Sequence, residues 1–541
     1  MRGYRVLKRS GCLDKIAVVK QALTERSPGL AKQHFSSVVM GEGVGSGEII
    51  ARQYLLARLG GLNLNRALLL SMGSEGGLVV FPLPREWREV LIEHGFKVAH
   101  FRSALRWQFY VCALFLYGML KIGRIVYAGI VAGKHAEAKL KTYAYFADLV
   151  PGNLPRTTDG LQSHDVISWY LQWPGRKSKV DSVRHGVADS SPLAVGSVSV
   201  LPQGGPLPAL SGWKEVFRFV LWGLRATVIS AIDCLRGRWW HALLLNQAAL
   251  TAQARIVSAA SLAREYLFHN SSWIYRPLWT YEAERRGSAI TFYFYSTNCE
   301  TFKRSDGYPP MAYGWKAMNW PRYLVWDDYQ VDFVRRAVGQ AADIAVVGPI
   351  WFQSSANALP VIGKKAIAVF DVTPFRSSAY QSMALSSEYY VPRTSLSFLS
   401  DVRKCAEDFG YTLMYKRKRK IGRSAHPKYR YLSDALLTFE DVIVVDADIS
   451  AYRVIEGSAI VISMPFTSTA LVARELGKPS CYYDPCFDLQ ADDRAAHGIP
   501  IIQGADSLKI WIGSQSARLS LIHISEPTRL RRISYAVFCL K

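Results

Sequence analysis

The apolar positions alternate between short unbroken runs and helical periodicity, the pattern of α/β units with a parallel sheet. The rhythm is clearest from about residue 364 onward. Ala366 to Phe370 reads as a buried strand, Ser395 to Phe409 as an amphipathic helix closed by Gly410, and Thr412 to Tyr415 as the next strand. Asp441 to Val445 and Ala459 to Ser463 are further strands around a short helix at Ile449 to Glu456. A helix over Ser468 to Leu476 stops at Gly477 with Pro479 behind it, and Ser480 to Tyr483 follows as a strand. The first half is less regular. Gly77 to Pro82 reads as a strand, Arg85 to His94 as a helix ended by Gly95, and Lys97 to Phe101 as a strand. Tyr275 to Arg286 is helical, and Ala289 to Tyr295, Arg322 to Trp326 and Ile344 to Val347 are strands. Pro174 to Gly212, rich in Ser, Gly and Pro, reads as surface loop. The stretch from Trp351 to Gly363 is the expected boundary between an N-terminal α/β domain (1–355) and a C-terminal one (364–518). Strands joined by such short connections predict doubly wound, Rossmann-like sheets.

Two apolar segments interrupt the first domain, over about 106–133 and 213–240. Trp107 to Leu120 carries no charge, yet is shorter than the roughly 20 residues that span a bilayer. Tyr117, near its end, shares one helical face with Lys121 and Arg124 beyond it. In Trp213 to Trp240, Lys214, Arg218, Arg225 and Arg236 form one stripe with Asp233 at its edge, among Phe, Val, Leu, Ile and Trp. These are either core helices or amphipathic helices lying on an anionic membrane surface, ahead of a transmembrane span.

Composition narrows the class. Of 541 residues, 50% are apolar and 20% charged, which excludes a disordered chain and leaves room for two sizeable cores. Lys and Arg outnumber Asp and Glu by 66 to 43, a formal +23 that favours an anionic partner. The 8 cysteines show no CxxC pair or zinc-like spacing, which fits a reducing cytosol. The charged N-terminus offers no signal-peptide core. Residues 519–541, LSLIHISEPTRLRRISYAVFCLK, fit nothing before them. Ile533 to Leu540 back-translates into the end of a common sequencing-library adapter, and the closing Lys into adenines. The tail is therefore expected to be non-native and the natural C-terminus to be missing. Without Arg529, Arg531, Arg532, Lys541 and Glu526, the charge is +20 and the basic character persists.

Two loops concentrate candidate chemistry. In Ala459 to Pro479 a buried strand ends in Met-Pro-Phe-Thr-Ser-Thr and opens a helix. Thr467, Ser468 and Thr469 there add hydroxyls to the unpaired N–H groups and positive dipole of a helix start, a phosphate cradle without a Walker glycine loop. Ordinary N-capping by Ser468 or Thr469 is the plain alternative. Upstream, Lys416-Arg-Lys-Arg-Lys420 leads to Ser424-Ala-His-Pro-Lys428, where His426, extended before Pro427, could donate to a phosphate or leaving group. Alone, either would be a surface feature. Both, however, leave carboxyl ends of strands in one parallel sheet, where such folds bind ligands. Asp371, with Thr373 and Arg376 beyond it, is expected at the same cleft edge, Arg376 reaching a diphosphate. Glu282, Asp327 and Asp328 are the candidates for a general base.

The His-Pro loop, the Ser/Thr cluster and the helix ending in Gly-Lys-Pro resemble the nucleotide half of GT-B transferases of bacterial surface polysaccharides. Pro465-Phe466-Thr467-Ser468 is similar, more closely, to the signature of the polysaccharide biosynthesis PFTS-motif proteins. Ser168 to Trp173, the unit from Pro277 to Tyr295, Trp326 to Tyr329 and Val347 to Trp351 fit that family too. The resemblance implies two Rossmann-like domains facing a cleft, the GT-B-like arrangement, with amphipathic helices inserted in the N-terminal half. It implies a metal-independent glycosyltransferase needing no cofactor, with a nucleotide sugar donor, a glycan or lipid-linked glycan acceptor and the phosphate on Ser468 and His426. Many GT-B enzymes place a ribose-binding Glu where this chain has Val472; Glu475, nearly a turn further on, is the nearest carboxylate. The expected location is cytoplasmic, peripheral to the inner membrane. Rival readings are a CDP-polyol phosphotransferase, a nucleotide-sugar epimerase and a basic nucleic-acid binder. The last is disfavoured, and no nucleic-acid partner is expected, because the basic run lacks interleaved aromatics and no binding motif is present.

Overall fold

The computed structural model describes residues 15–26, 35–41, 54, 62–132, 142–155, 165–350, 359–360, 365–374 and 389–525. Excepted are 17, 24, 74–75, 189, 273–274, 298, 304, 310, 312, 418–421, 423–424 and 447–448, together with the side chains of 62, 132 and 520–525. Two sheets organise the chain. The first has eight strands: β1 Tyr143–Phe146, β2 Ser182–His185, β3 Leu193–Val195, β4 Val198–Pro202, β5 Glu265–His269, β6 Ala289–Tyr293, β7 Arg322–Val325 and β8 Asp343–Val346. Their order is β3-β4-β2-β1-β5-β6-β7-β8, parallel throughout except the β3–β4 pair. The second sheet is entirely parallel: β9 Ala366–Phe370, β10 Thr412–Lys416, β11 Val442–Val445, β12 Ile460–Ser463, β13 Ser480–Asp484 and β14 Ile501–Gln503. Its order, β11-β10-β9-β12-β13-β14, reverses direction between β9 and β12, as in a dinucleotide fold. Strands β1, β5, β9, β12 and β13 are buried along their whole length, and β9 and β12 accordingly read as unbroken apolar runs, whereas the sequence pattern does not mark β1 and β5.

Strands β9 to β13 and the helices predicted between them lie within a few residues of their expected positions, while β14 and the helices Pro427–Ala435 and Ala505–Ser525 are not predicted by the sequence pattern. The helices Pro392–Asp408 and Ser468–Glu475 are followed by glycines in the left-handed region, Gly410 (φ 68°) and Gly477 (φ 66°), a conformation a side chain would strain. Two expectations in the first domain are corrected. Gly77 to Pro82 and Lys97 to Phe101 make only one parallel bridge, Val79 to Val98, and Phe101 already lies in the helix His100–Ala132. Val79 and Val98 are buried in a mainly helical cluster, so their apolarity serves packing without a ladder. Pro174 to Gly212 carries β2, β3 and β4, the outer strands of the first sheet; short strands punctuated by Ser, Gly and Pro do not show a strand period. The expected boundary at Trp351 to Gly363, and residues 526–541 of the tail, lie almost wholly outside the described residues.

The apolar segments form helices. Gly212–Leu235 and Trp240–Ile256 run antiparallel, and the second is buried nearly throughout, between the sheet layer and the two long helices outside it. Glycines permit the close crossings. A Cβ on Gly118 would lie 2.6 Å from Leu245, and one on Gly223 would lie 2.9 Å from Ile122. Among the described residues, His100–Val131 is the helix long and apolar enough to cross a membrane by length and composition.

The domains point the carboxyl edges of their sheets at each other, the GT-B-like arrangement. Residues after β6 and β7 meet residues after β12 and β13. Asp327, after β7, receives His497 Nδ1 at 2.8 Å and Arg474 at 3.3 Å from the second domain, and the amide of Gln330 at 3.1 Å from its own helix, Asp328–Val338. Glu300 pairs with Arg494 at 3.2 Å, and the Lys303 amide donates to Asp493 at 2.8 Å. Phe302 packs on Phe466, Tyr389 and Tyr390. Burial works to raise the pKa of Asp327, but the hydrogen bond and charge of His497, with Gln330 and Arg474, outweigh it and hold the carboxyl below its ordinary range. A depressed carboxylate contributes stability above its unfolded pKa and loses it on acidification. Asp327→Ala is therefore expected to lower stability by about 2 kcal/mol at neutral pH. The deficit should shrink as pH falls through the carboxylate range, read by denaturant unfolding at stepped pH; a pH-independent deficit contradicts this account.

Candidate functional site

The second sheet's reversal opens a crevice at the carboxyl ends of β9 and β12, and the Ser/Thr cluster occupies it. After Ser463 the chain turns through Met464, Pro465 and Phe466, with Phe466 in the left-handed region at φ 62°. Its buried ring lies between Phe302 (4.7 Å) and Tyr482 (5.6 Å). Tyr390 donates to the carbonyl of Pro465 at 2.8 Å, and Tyr482 to that of Thr467 at 2.9 Å. Two of the three hydroxyls stay together, Thr467 Oγ1 and Thr469 Oγ1 lying 3.2 Å apart, and the third leaves them. Thr467 Oγ1 donates back to Met464 at 2.9 Å, and Thr469 Oγ1 pairs with Ser463 at 2.8 Å. Ser468 Oγ reaches the first domain, where it lies 3.2 Å from Thr297 Oγ1 and accepts the Thr297 amide at 3.4 Å.

Thr467 is the N-cap of Ser468–Glu475, yet its side chain makes no capping bond. The ordinary alternative is thus not realised: neither Ser468 nor Thr469 is the cap, and the hydroxyl at the cap position is turned away. The first amides of the helix, with its positive dipole, lie on a half-buried surface at the domain seam. That arrangement can receive an anion.

His426 does not sit in an open loop. It is the N-cap of the helix Pro427–Ala435, with Pro427 in the first turn, and its Nδ1 accepts the Lys428 amide at 3.3 Å. In the neutral ring that bond places the proton on Nε2, which makes Nε2 a donor. The His426 amide donates to Pro374 at 3.0 Å, tying this loop to the end of β9. His426 and Ser468 therefore begin helices on opposite sides of β9.

Asp371 does not line the cleft edge. It is 2% exposed beneath it, with Oδ2 accepting Tyr429 at 2.5 Å and Tyr415 at 3.0 Å, and the two phenol oxygens 2.7 Å apart. Burial pushes its carboxyl up to about 6 against the pull of those hydroxyls. Because Tyr429 belongs to the first turn of the His426 helix, Asp371 anchors that helix to β9 and β10. Arg376 and residues 418–421 and 423–424 lie outside the described residues.

The carboxylate candidates separate. Glu282 is fully buried on Trp279–Arg285, paired with Arg285 at 2.9 Å and lying against Gly41 and Thr251, a packing position. Asp327 is the interdomain clamp, and Asp328 is exposed on the first turn of its helix. Glu475 is exposed at the far end of the cradle helix beside Arg474, about 10 Å along the axis from its start, too far to share a ligand group with Ser468. Val472 is buried.

A pattern search misses residues whose partners are distant in sequence, here Thr297, Tyr390, Tyr415 and Tyr429. It also misses His269, which ends β5 where the first sheet reverses direction beside β1. His269 is 6% exposed; Nε2 lies 3.4 Å from the Asp148 carbonyl, and Nδ1 makes no hydrogen bond among the described residues. Burial pushes its pKa down, and the Asp148 carbonyl only partly opposes this, so the ring is neutral at pH 7. Among the described residues no three His, Cys, Asp or Glu side chains gather as a metal site. Cavities of about 560 Å³ beside Leu396, Pro427 and Lys428 and about 320 Å³ beside Tyr329, Arg335 and Arg494 lie away from Ser468.

The raised pKa of Asp371 has a definite sign: the group costs nothing where it is protonated in both states, and stability is lost as pH rises from the unfolded carboxylate range through about 6. Asp371→Asn cannot ionise. It is expected to gain on the parent by up to about 3 kcal/mol between about pH 4 and pH 7, measured from urea midpoints. A constant difference across that range contradicts the buried-carboxyl account.

Residues 222–512, more than half the chain, match the family described as polysaccharide biosynthesis PFTS motif protein. No curated protein matches the chain. Among solved structures, the wall teichoic acid polymerase TagF is similar at 11% identity over 77% of this chain and 91% of its own, with a TM-score of 0.36. Sucrose-phosphate synthase from Thermosynechococcus elongatus is similar at 12% identity over 70% and 90%, with a TM-score of 0.35. The UDP-GlcNAc 2-epimerase of Methanocaldococcus jannaschii shows 9% identity over 50% and 74%, with a TM-score of 0.29.

Proposed function

The chain belongs to the polysaccharide biosynthesis PFTS motif protein family, and from that premise we propose that it is a glycosyltransferase of bacterial cell-surface polysaccharide synthesis. The observation that carries the reading is the uncapped start of the Ser468 helix at the domain seam, opposite Thr297. A nucleotide-activated sugar binds with its phosphates against the amides of that helix and the Ser468 hydroxyl. The Nε2–H of His426 donates from the other side of β9. As the glycosidic bond to phosphate breaks, charge grows on the leaving nucleotide. Fixed amides, helix dipole and imidazole stabilise it without having to reorganise, so the reaction runs without a metal ion or cofactor. The acceptor, a glycan or lipid-linked glycan at the cytoplasmic face of the inner membrane, enters from the first domain. His269, neutral and at the carboxyl end of β5 where the first sheet reverses, takes the acceptor hydroxyl proton.

A thermal-shift series with CMP, CDP, UDP and GDP tests the donor half. One nucleotide, at a hundred times its Kd, should stabilise the protein by about 2.7 kcal/mol, and Ser468→Ala should lose most of that gain. No shift with any of the four sinks the reading. Product analysis with sugar- and polyol-activated nucleotides then separates sugar transfer from polyol-phosphate transfer.

His269→Gln tests the acceptor half. The expected result is a kcat lower by about 10²- to 10⁴-fold with the nucleotide shift unchanged. An unchanged kcat removes His269 from the chemistry.

A further inference from the structure

Among the described residues, exposed apolar side chains concentrate on the outer faces of the helices His100–Ala132 and Gly212–Leu235. Of thirty exposed large apolar residues among the described residues, seventeen lie on these two helices. A soluble monomer rarely exposes so much in one place. On Gly212–Leu235 the exposed residues include Trp213, Phe217, Leu221, Leu224, Val228 and Ile232. Their spacing of three and four makes one continuous stripe. The buried residues Phe219, Gly223, Ala226 and Ser230 make the opposite stripe, against the protein.

The charge on this surface has one sign. Lys214, Arg218 and Arg225 border the apolar stripe, and Arg236 and Arg238 stand at its end, all exposed. Both acids of the helix are turned inward. Glu215 accepts the amides of Ser211 at 2.6 Å and Ser258 at 3.2 Å, and Asp233 holds His241 at 2.7 Å. The helix His100–Ala132 contains no acidic residue and contributes Arg102, Arg106, Lys121 and Arg124. An apolar stripe edged by unopposed cations fits a sheet of anionic headgroups over acyl chains. It does not fit an acidic protein, which would leave the apolar stripe uncovered, and nucleic acid would leave it wet.

The mode of contact follows from packing. Ser103, Trp107, Val111, Gly118, Ile125 and Gly129 are buried along the length of His100–Ala132, and Gly118 presses on Leu245 of the buried helix Trp240–Ile256. The helix it packs on is itself buried against the first domain's sheet layer, which holds one face of His100–Ala132 to the protein and fits contact with one leaflet.

We propose that these two helices form a docking surface for an anionic lipid bilayer, lying in the plane of one leaflet with their apolar faces among the acyl chains. The transferase reading supplies only the choice of leaflet; the surface stands on its own observations.

Cosedimentation of the full chain with vesicles tests it. Binding is expected to phosphatidylcholine vesicles containing phosphatidylglycerol, to be much weaker to phosphatidylcholine alone, and to fall with salt. Arg218→Glu with Arg225→Glu should weaken it about tenfold or more. Phe217→Asp, Leu221→Asp and Leu224→Asp together should abolish it at low salt, where charge attraction is strongest. These positions are exposed, and unchanged thermal unfolding identifies variants that still fold. Absence of vesicle binding overturns the proposal. So does a parent dimer, seen by light scattering, that the apolar variant turns to monomer without any lipid binding, because the occupant is then a second copy. Vesicle binding without nucleotide stabilisation upholds the surface and overturns the transferase; nucleotide stabilisation without vesicle binding does the reverse.

Discussion

Phe466 keeps a left-handed backbone because its ring is pinned from two sides, by Phe302 of the first domain and Tyr482 of the second. Such a conformation costs a non-glycine residue roughly 1 kcal/mol and persists only where its surroundings overdetermine it. Here the determinants are two aromatic contacts and the hydroxyls of Tyr390 and Tyr482 on the flanking carbonyls. The turn directs Thr467 back into itself, which leaves the following helix uncapped. One of these determinants, the Phe302 ring, comes from the other domain, so docking of the domains helps to set the shape of the cradle.

Beneath the cradle, the second sheet solves a different problem. Asp371 follows a fully buried strand and has no route to water, so its charge is met by two tyrosine hydroxyls. One of them, Tyr429, stands in the first turn of the helix that His426 caps. The buried carboxyl thereby sets the angle at which His426 is presented, although it is itself shielded from any ligand. The two helix starts around β9 are oriented by different means: one by aromatic packing across the seam, the other by a polar network inside the sheet.

Much of the second domain was legible because a parallel sheet buried on both faces writes its strands as apolar runs, and glycines mark where its helices stop. The outer strands β2, β3 and β4 were not legible, since short strands interrupted by Ser, Gly and Pro lack the period that identifies a strand. Val79 and Val98 show the converse: apolar runs of strand length can pack in a helical cluster and make only one bridge. Ser468 and His426 were visible because hydroxyls and a His-Pro pair after predicted strands imply the binding edge of such a sheet. Asp371 was placed by the same logic and the placement was too simple, because position after a strand does not say whether a side chain faces outward. Thr297, Tyr415 and Tyr429 act through partners that only the folded chain brings near, and Asp327 reads as a surface carboxylate until Arg474 and His497 are set against it.

The helix Ser468–Glu475 touches the first domain at both ends, through Ser468 and Thr297 at its start and Arg474 and Asp327 near its finish. It is about 12 Å long and has no slack. A tug on either fastening is therefore felt at the other, and the lobes cannot part like a hinged book without this strut letting go of one cover. The tightness of the uncapped amides and the closure of the molecule are a single mechanical variable.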